Sequence, residues 1–250
     1  MTGATGWRDR EARSTPDPPP RLAVHLRDAR WFLLDWWYAA VWQLRSLGPT
    51  TADDYRSGDR QPIVVVPGVY ETWHFMRPLM DALHDHGHPV FVVTALRHNR
   101  QSVRAGARLV MDQIRAEDLH DVLLVTHSKG GLIGKYAMTL LDGGGRVDRM
   151  VAVSAPFGGS SYARFAPNAT LRAFSVHDPT LAALLADVHA NGRITSVYGV
   201  FDTMIPEGSA LVGAKNERLP VGGHFRILSD PRTYRAVLDA VDPAVTSEPQ

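Results

Sequence analysis

Three residues of this chain have the side chains that nucleophilic acyl transfer needs. They are Ser128, Asp202 and His224, and they occur in that order along the sequence. A serine hydroxyl is a weak nucleophile that needs a base within hydrogen-bond reach. The base in turn needs a carboxylate that fixes its orientation and stabilises its charged form. The three residues therefore predict attack on a carbonyl carbon by Ser128, with His224 as the base and Asp202 as its acidic partner.

The surroundings of Ser128 indicate a tight turn between a strand and a helix. The residues at 122–126 form an apolar run typical of a buried strand, and Gly130 and Gly131 follow the serine. Small residues are needed where such a strand and helix pass closely, and the turn holds the hydroxyl clear of the sheet. The start of the helix also presents backbone N–H groups that favour negative charge. A serine that only caps a helix is the alternative interpretation.

This segment resembles the nucleophile elbow of the α/β-hydrolase superfamily, in the form found in lipases and esterases. The resemblance implies a serine hydrolase with the chain order serine, acid, histidine. Thr126 departs from the usual pattern, which has glycine there, although some lipases have threonine or alanine. His127 is interpreted as a flanking residue, because adjacent side chains in a tight turn point apart. The side chain of Lys129 is expected to point to solvent or to the pocket rim.

The loops of the acid and the base also resemble those of lipases and esterases. Asp202 ends a predicted strand and begins an Asp-x-x-apolar-Pro pattern that closes at Pro206. A solvent-exposed turn aspartate is the alternative interpretation, and Glu207 is the fallback acid. His224 follows two glycines and comes after the acid, as the final catalytic loop of the family requires.

An oxyanion hole and an acyl pocket are also predicted. The backbone N–H groups of Lys129 and Val69 are the predicted oxyanion donors. Val69 follows Pro67-Gly68, which stands where many lipases have a His-Gly pair, and a plain turn at Gly68 is the alternative. Five residues are predicted to line the pocket, of which about half are expected to be ordinary core: Tyr70, Phe157, Tyr162, Phe165 and Met204.

Alternating strands and helices must position these residues. Strands are predicted at 63–66, 90–94, 122–126, 150–153 and 195–201, and helices at 72–86, 102–117, 131–141, 180–190 and 231–241. This alternation predicts an α/β fold with a mostly parallel sheet flanked by helices. Sites in such sheets lie at the carboxyl ends of the strands. The resemblance extends this to an α/β-hydrolase domain over residues 61–243, without a large cap domain.

The first part of the chain divides into two segments. Residues 1–21 are rich in charge and proline, which predicts a disordered leader and no signal peptide. Residues 22–47 are predicted to form a Trp-rich amphipathic helix, because Leu33, Trp37 and Leu44 recur at helical spacing. Packing on the domain is the favoured interpretation, and a peripheral membrane contact with indole rings at headgroup level is the other. Asp35 interrupts the apolar stretch, so the helix is not expected to span a bilayer.

Composition narrows the function further. The 250 residues carry a formal net charge of +1, which gives no basis for nucleic-acid binding. The absence of cysteine excludes disulfides, thiolate metal sites and a cysteine nucleophile. The predicted activity is esterase or lipase action on a small-molecule or lipid ester, without cofactor or metal, in the cytoplasm or at a membrane surface. An acyltransferase, a thioesterase, or a non-catalytic membrane-associated protein on the same scaffold are the alternatives.

Overall fold

Short apolar runs form the strands of one parallel sheet in the computed structural model. The structure describes residues 21–45, 51–143, 145–161, 163 and 179–242, with backbone alone for 21–28, 45, 179 and 180. The strands are β1 (Ile63–Val66), β2 (Val90–Val92), β3 (Val122–His127), β4 (Val147–Val153), β5 (Ile194–Phe201) and β6 (Lys215–Gly222). Their order is β2-β1-β3-β4-β5-β6, and every neighbouring pair is parallel. The predicted α/β fold with a parallel sheet is confirmed.

Two interior strands of the sheet, β1 and β3, are buried on both faces. Every residue of β1 and β3 is buried, which explains why both appear in the sequence as continuous apolar runs. The strand β6 is different, and the sequence did not predict it. It lies at the edge of the sheet, the first half of the strand is mostly exposed, and the second half contains Pro220. Proline is tolerated in edge strands because no ladder partner needs its missing N–H.

Helices cover both faces of the sheet. They are α1 (Arg21–Arg45), α2 (Arg77–Asp85), α3 (Val103–Ala116), α4 (Lys129–Tyr136, continued by a π-helical turn at Ala137–Leu141), α5 (Pro179–Ala186) and α6 (Pro231–Val241). The predicted helix at 72–86 divides into a 3-10 turn at Trp73–Met76 and α2. Two helices begin at capping side chains: Ser102 accepts from the N–H of Ala105, and Asp230 from that of Arg232.

Two apolar cores lie on opposite faces of the sheet. Residues of α3, α4 and α5 pack on one face, and residues of α1, α2 and α6 pack on the other. Neighbouring residues of β3 divide between them, with Leu124 in the first core and Leu123 and Val125 in the second. This division follows from the alternation of side chains along a strand.

The helix α1 has one packed side and one exposed side. Asp35, Tyr38 and Trp42 are buried against the domain, whereas Leu33 and Trp37 are 68% and 71% exposed. The stripe predicted from Leu33, Trp37 and Leu44 is therefore the exposed side of α1. The packing contacts come from residues outside that stripe. None of the described helices is long and apolar enough to cross a membrane.

Several predictions fall on residues that the structure does not describe. These are the leader apart from Arg21 and the predicted pocket residues Tyr162 and Phe165. Strands β4 and β5 are joined by a long segment, and α5 is the one α-helix among its described residues.

Candidate active site

Three loops meet at the carboxyl edge of the sheet and bring Ser128, His224 and Asp202 together. The imidazole Nε2 of His224 lies 3.0 Å from Ser128 Oγ, and its Nδ1 lies 2.9 Å from Asp202 Oδ2. The loops follow β3, β5 and β6, so residues far apart in sequence form one chain of hydrogen bonds. All three residues predicted to perform the chemistry are thus in contact.

The backbone at Ser128 adopts the conformation that a sharp strand-to-helix turn demands. Its φ of 51° and ψ of −122° are sterically unfavourable for a residue with a Cβ atom. The glycines that follow permit close packing, since a Cβ at Gly130 would collide with the carbonyl oxygen of Val66. A Cβ at Gly131 would likewise collide with Ala155. These contacts hold the Ser128 hydroxyl at the amino end of α4.

The carboxylate of Asp202 is held at both oxygens. Oδ1 accepts hydrogen bonds from the N–H groups of Met204 (2.8 Å) and Ile205 (2.9 Å), and Oδ2 faces His224. Burial alone would raise the pKa of Asp202, but the charge and hydrogen bond of His224 and the two backbone donors outweigh it and hold the pKa below its usual value. The fallback acid, Glu207, instead accepts from the N–H of Ser161.

The imidazole of His224 is almost fully buried, with a side chain 4% exposed. Burial opposes its protonation, but the charge and hydrogen bond of Asp202, followed by the charges of Glu71 and Asp35, raise its pKa above the usual value. An ionised Asp202 accepts from Nδ1–H, which leaves Nε2 of the neutral ring free to accept the Ser128 proton. The arrangement suits a general base that becomes positively charged during reaction.

His127 is a buried support of the site and not merely a flanking residue. Its Nδ1 lies 2.9 Å from Glu71 Oε2, and its Nε2 lies 3.0 Å from the carbonyl oxygen of His224. The same Glu71 oxygen accepts from the N–H of Gly68 at 2.8 Å. His127 therefore links the loops after β1 and β6.

The prediction for the side chain of Lys129 was wrong. Lys129 is 2% exposed, and its Nζ donates to the carbonyl oxygens of Asn99 (2.9 Å) and Gln101. Burial lowers the pKa of Lys129 to about 8. Asn99 in turn donates from its side chain to the carbonyl of Pro67 at 2.7 Å. The buried ammonium group thus connects α4 to the loops after β1 and β2.

The two predicted oxyanion donors, Lys129 and Val69, lie at the start of α4 and in the loop after β1. Lys129 is the first residue of α4, so its backbone N–H has no carbonyl one turn earlier in the helix. Val69 lines the same cavity as Ser128 and His224. Its neighbour Tyr70, with a φ of 62°, donates its N–H to the carbonyl of His98 at 2.8 Å.

An apolar cavity of about 560 Å³ opens beside Ser128 and His224. Two of the predicted pocket residues, Tyr70 and Met204, line it. The helix α1 supplies another part of the wall, which the sequence did not predict: Trp36, Ala39, Ala40 and Gln43. The site is therefore built between the N-terminal helix and the edge of the sheet.

One predicted pocket residue belongs to the core instead. Phe157 is fully buried in the core on the α3, α4 and α5 face of the sheet, where its ring lies close to Gly131. Its neighbour Pro156 lines the cavity in its place. Throughout the described residues, no group of three or more His, Cys, Asp or Glu side chains is arranged to hold a metal ion.

The charge of Asp202 should set the pKa of His224. We expect the pKa of the His224 ring to lie above about 6.5, the usual pKa of histidine. Asp202→Asn should lower this pKa, because the neutral amide no longer stabilises the imidazolium. An NMR titration of the ring measures both values. Asp85→Asn, an exposed substitution of the same type, is the control and should leave the titration unchanged. An equal His224 pKa in wild type and Asp202→Asn would contradict the electrostatic account.

The architecture is shared with solved structures, although the sequence matches no protein-family model and no curated protein. The chain is similar to the mature form of the Bacillus licheniformis lipase BlEst2, with a TM-score of 0.59 and 14% identity over 78% of this chain and 96% of that one. Aspergillus fumigatus lipase B gives a TM-score of 0.60 and 18% identity over 77% of this chain and 55% of the lipase. An extracellular α/β-hydrolase from a Paenibacillus species gives 0.52 and 18% over 74% of this chain and 99% of that one. The chain therefore has the α/β-hydrolase fold.

Proposed function

We propose that this chain is a serine hydrolase that cleaves carboxylic esters with apolar acyl groups. The observation that carries the proposal is the continuous hydrogen-bond chain from Ser128 through His224 to Asp202, at the wall of an apolar cavity. Two of the structural neighbours are lipases by name, which supports hydrolysis as the class of reaction. The cytoplasmic location predicted from the sequence stays a prediction.

In the proposed reaction, His224 Nε2 takes the proton from Ser128 as the hydroxyl oxygen attacks the ester carbonyl carbon. The negative charge that forms on the carbonyl oxygen is stabilised by the N–H groups of Lys129 and Val69, each contributing about 3–4 kcal/mol in comparable enzymes. The imidazolium then protonates the departing alcohol, which leaves an acyl group on Ser128. Water, deprotonated by the same imidazole, attacks this acyl-enzyme and releases the acid. Asp202 remains ionised throughout.

The activity should depend on Ser128 and His224 as one unit. Ser128→Ala is expected to lower kcat by at least about 10⁴-fold, because the residual rate comes only from binding and the oxyanion donors. A fluorophosphonate should label wild-type protein at Ser128, located by mass spectrometry, and His224→Ala should prevent the labelling. Asp85→Asn is the matched surface control and should be labelled as wild type.

The outcomes of this experiment separate the alternatives. Folded wild-type protein that is not labelled would favour the non-catalytic scaffold over the hydrolase. If labelling occurs, the products formed from one ester in the presence of water, alcohols and thiols identify the acceptor. Transfer to an added alcohol or thiol in preference to water would indicate an acyltransferase, and preferential cleavage of thioesters would indicate a thioesterase.

The cavity should select for acyl chain length. With p-nitrophenyl esters, kcat/KM is expected to rise by up to about fourfold per added methylene until the cavity is full, since each buried methylene contributes about 0.8 kcal/mol. Ala39→Phe narrows the cavity from the α1 side and should end this rise at a shorter chain. Ala116→Phe, at the exposed end of α3, is the control. An unchanged chain-length profile in Ala39→Phe would place the acyl group elsewhere.

We also propose that the exposed side of α1 contacts a lipid surface and so delivers esters to the cavity. Leu33, Trp37 and Leu44 are 68%, 71% and 70% exposed, and Trp36 on the same helix is 49% exposed and lines the cavity. Indole rings favour the headgroup region of a bilayer. The exposed side and the cavity wall therefore belong to one helix, which would bring the site next to the lipid.

Lipid contact predicts a loss of vesicle binding when the exposed side is made polar. Wild-type protein should co-sediment weakly with vesicles of phosphatidylcholine and phosphatidylglycerol, and the double variant Leu33→Ser/Trp37→Ser should not. Val212→Ser removes a comparably exposed apolar side chain from the loop between β5 and β6 and should bind as wild type. Equal binding by wild type and the double variant would refute the contact.

A further inference from the structure

The loop that carries His224 is fastened to α1 by one buried carboxylate. Asp35 is 0% exposed, although it belongs to a helix at the surface of the domain. Its Oδ2 accepts from the N–H of His224 at 2.8 Å. Its Oδ1 accepts from the N–H groups of Phe225 (2.7 Å) and Arg226 (2.8 Å). Three consecutive backbone donors therefore converge on one side chain from a different part of the chain.

The two glycines before His224 allow this approach. A Cβ at Gly223 would lie 2.7 Å from Asp35 Oδ1, and the residue has a φ of +110°, which L-amino acids rarely adopt. A Cβ at Gly222 would overlap the ring of Trp31 on the same helix. The glycine-rich sequence of the histidine loop is thus explained by close contact with α1.

The same carboxylate also reaches the acid loop. The hydroxyl of Thr203, which follows Asp202, donates to Asp35 Oδ2 at 3.3 Å. On the opposite side, the carbonyl oxygen of His224 receives the hydrogen bond from His127. The backbone of His224 is therefore held at its N–H by Asp35 and at its carbonyl by His127, while Asp202 holds its ring.

We propose that Asp35 is a positioning residue for His224, so that the N-terminal helix α1 is an integral part of the active site. The carboxylate accepts from the N–H groups of Phe225 and Arg226 at the start of the 3-10 turn Arg226–Ser229 and from the N–H of His224 just before it, and this fixes the direction in which the imidazole projects from the backbone. A shift of about 1 Å at such a base can cost about 100-fold in rate. The catalytic consequence rests on the proposed function, whereas the structural role does not.

Asp35 also acts on His224 through its charge. The ionisable groups around the imidazole are Asp202, Glu71 and Asp35, together with His127, whose ring centroid lies 5.0 Å away. Burial works against protonation of His224, and the charge of Asp35 adds to those of Asp202 and Glu71 in raising its pKa. Removal of this one charge should therefore lower the pKa of His224.

Three variants separate the position of Asp35 from its charge, with hydrolysis of p-nitrophenyl butyrate as the assay. Asp35→Asn should lower kcat by about 10- to 100-fold with KM within about twofold, and should move the acid limb of the pH profile to lower pH. Asp35→Glu keeps the charge but displaces the acceptors by one methylene, so kcat should fall while the acid limb stays in place. Asp85→Asn should match wild type in both.

Two outcomes would overturn the proposal. The first is a folded Asp35→Asn variant with the kcat and acid limb of the wild type. The second is fast hydrogen exchange at the amides of His224, Phe225 and Arg226 in the wild-type protein, where hydrogen bonds to Asp35 require slow exchange. The exchange measurement needs no variant, so it decides the question even if Asp35→Asn does not fold.

The failure of the proposed function would give a different pattern. Wild-type protein without hydrolysis or fluorophosphonate labelling would remove the catalytic consequence. The amide exchange would still test the hydrogen bonds to Asp35, and an NMR titration of His224 in Asp35→Asn would still test the effect of its charge. A His224 pKa that is lower in the variant supports the electrostatic action of Asp35, and an unchanged pKa argues against it.

Discussion

The candidate site depends on backbone conformations that the chain would not adopt without support. Tyr70, Ser128 and Ser154, in the loops after β1, β3 and β4, have φ values of 62°, 51° and 48°. Each such residue costs about 1–3 kcal/mol and persists only where the surroundings determine its conformation. At Ser128 the surroundings are two fully buried strands and two glycines that no larger residue could replace without a clash. The parallel sheet therefore serves as the rigid body against which the loops are held.

Buried polar side chains hold the loops once the strands have ended. Glu71 and His127 connect the loops after β1 and β6, and Lys129 reaches the loop after β2. Asp35, a residue of α1, accepts hydrogen bonds from the loop that carries His224. Each of these groups would be costly to bury alone. His127, Lys129 and Asp35 are paired with backbone groups of other loops, and Glu71 is paired with Gly68 and with the side chain of His127. The polar network thus fixes the relative positions of loops that share no strand pairing.

The sequence predicted the elements whose own residues determine their structure. The β-branched runs of β1 and β3 and the glycines after Ser128 specify buried strands and a tight turn locally, whichever neighbours they meet. Asp202 and His224 could be predicted because each belongs to a recognisable loop pattern. The packed side of α1, the buried position of Lys129 and the core position of Phe157 could not be predicted, because each is decided by contacts with distant parts of the chain. Asp35, the acid that interrupts the apolar stretch of α1, was the one visible sign of such a contact.

The cavity beside Ser128 is lined partly by α1 and partly by the edge of the sheet, and this division has a thermodynamic consequence. Residues Trp36 and Ala39 line the cavity from α1, and Ser128 and His224 line it from the sheet edge. A molecule that touches both walls binds more tightly when α1 is docked, and by reciprocity its presence strengthens the docking by the same free energy. Occupancy of the cavity and attachment of the N-terminal helix are thus two sides of a single coupled equilibrium.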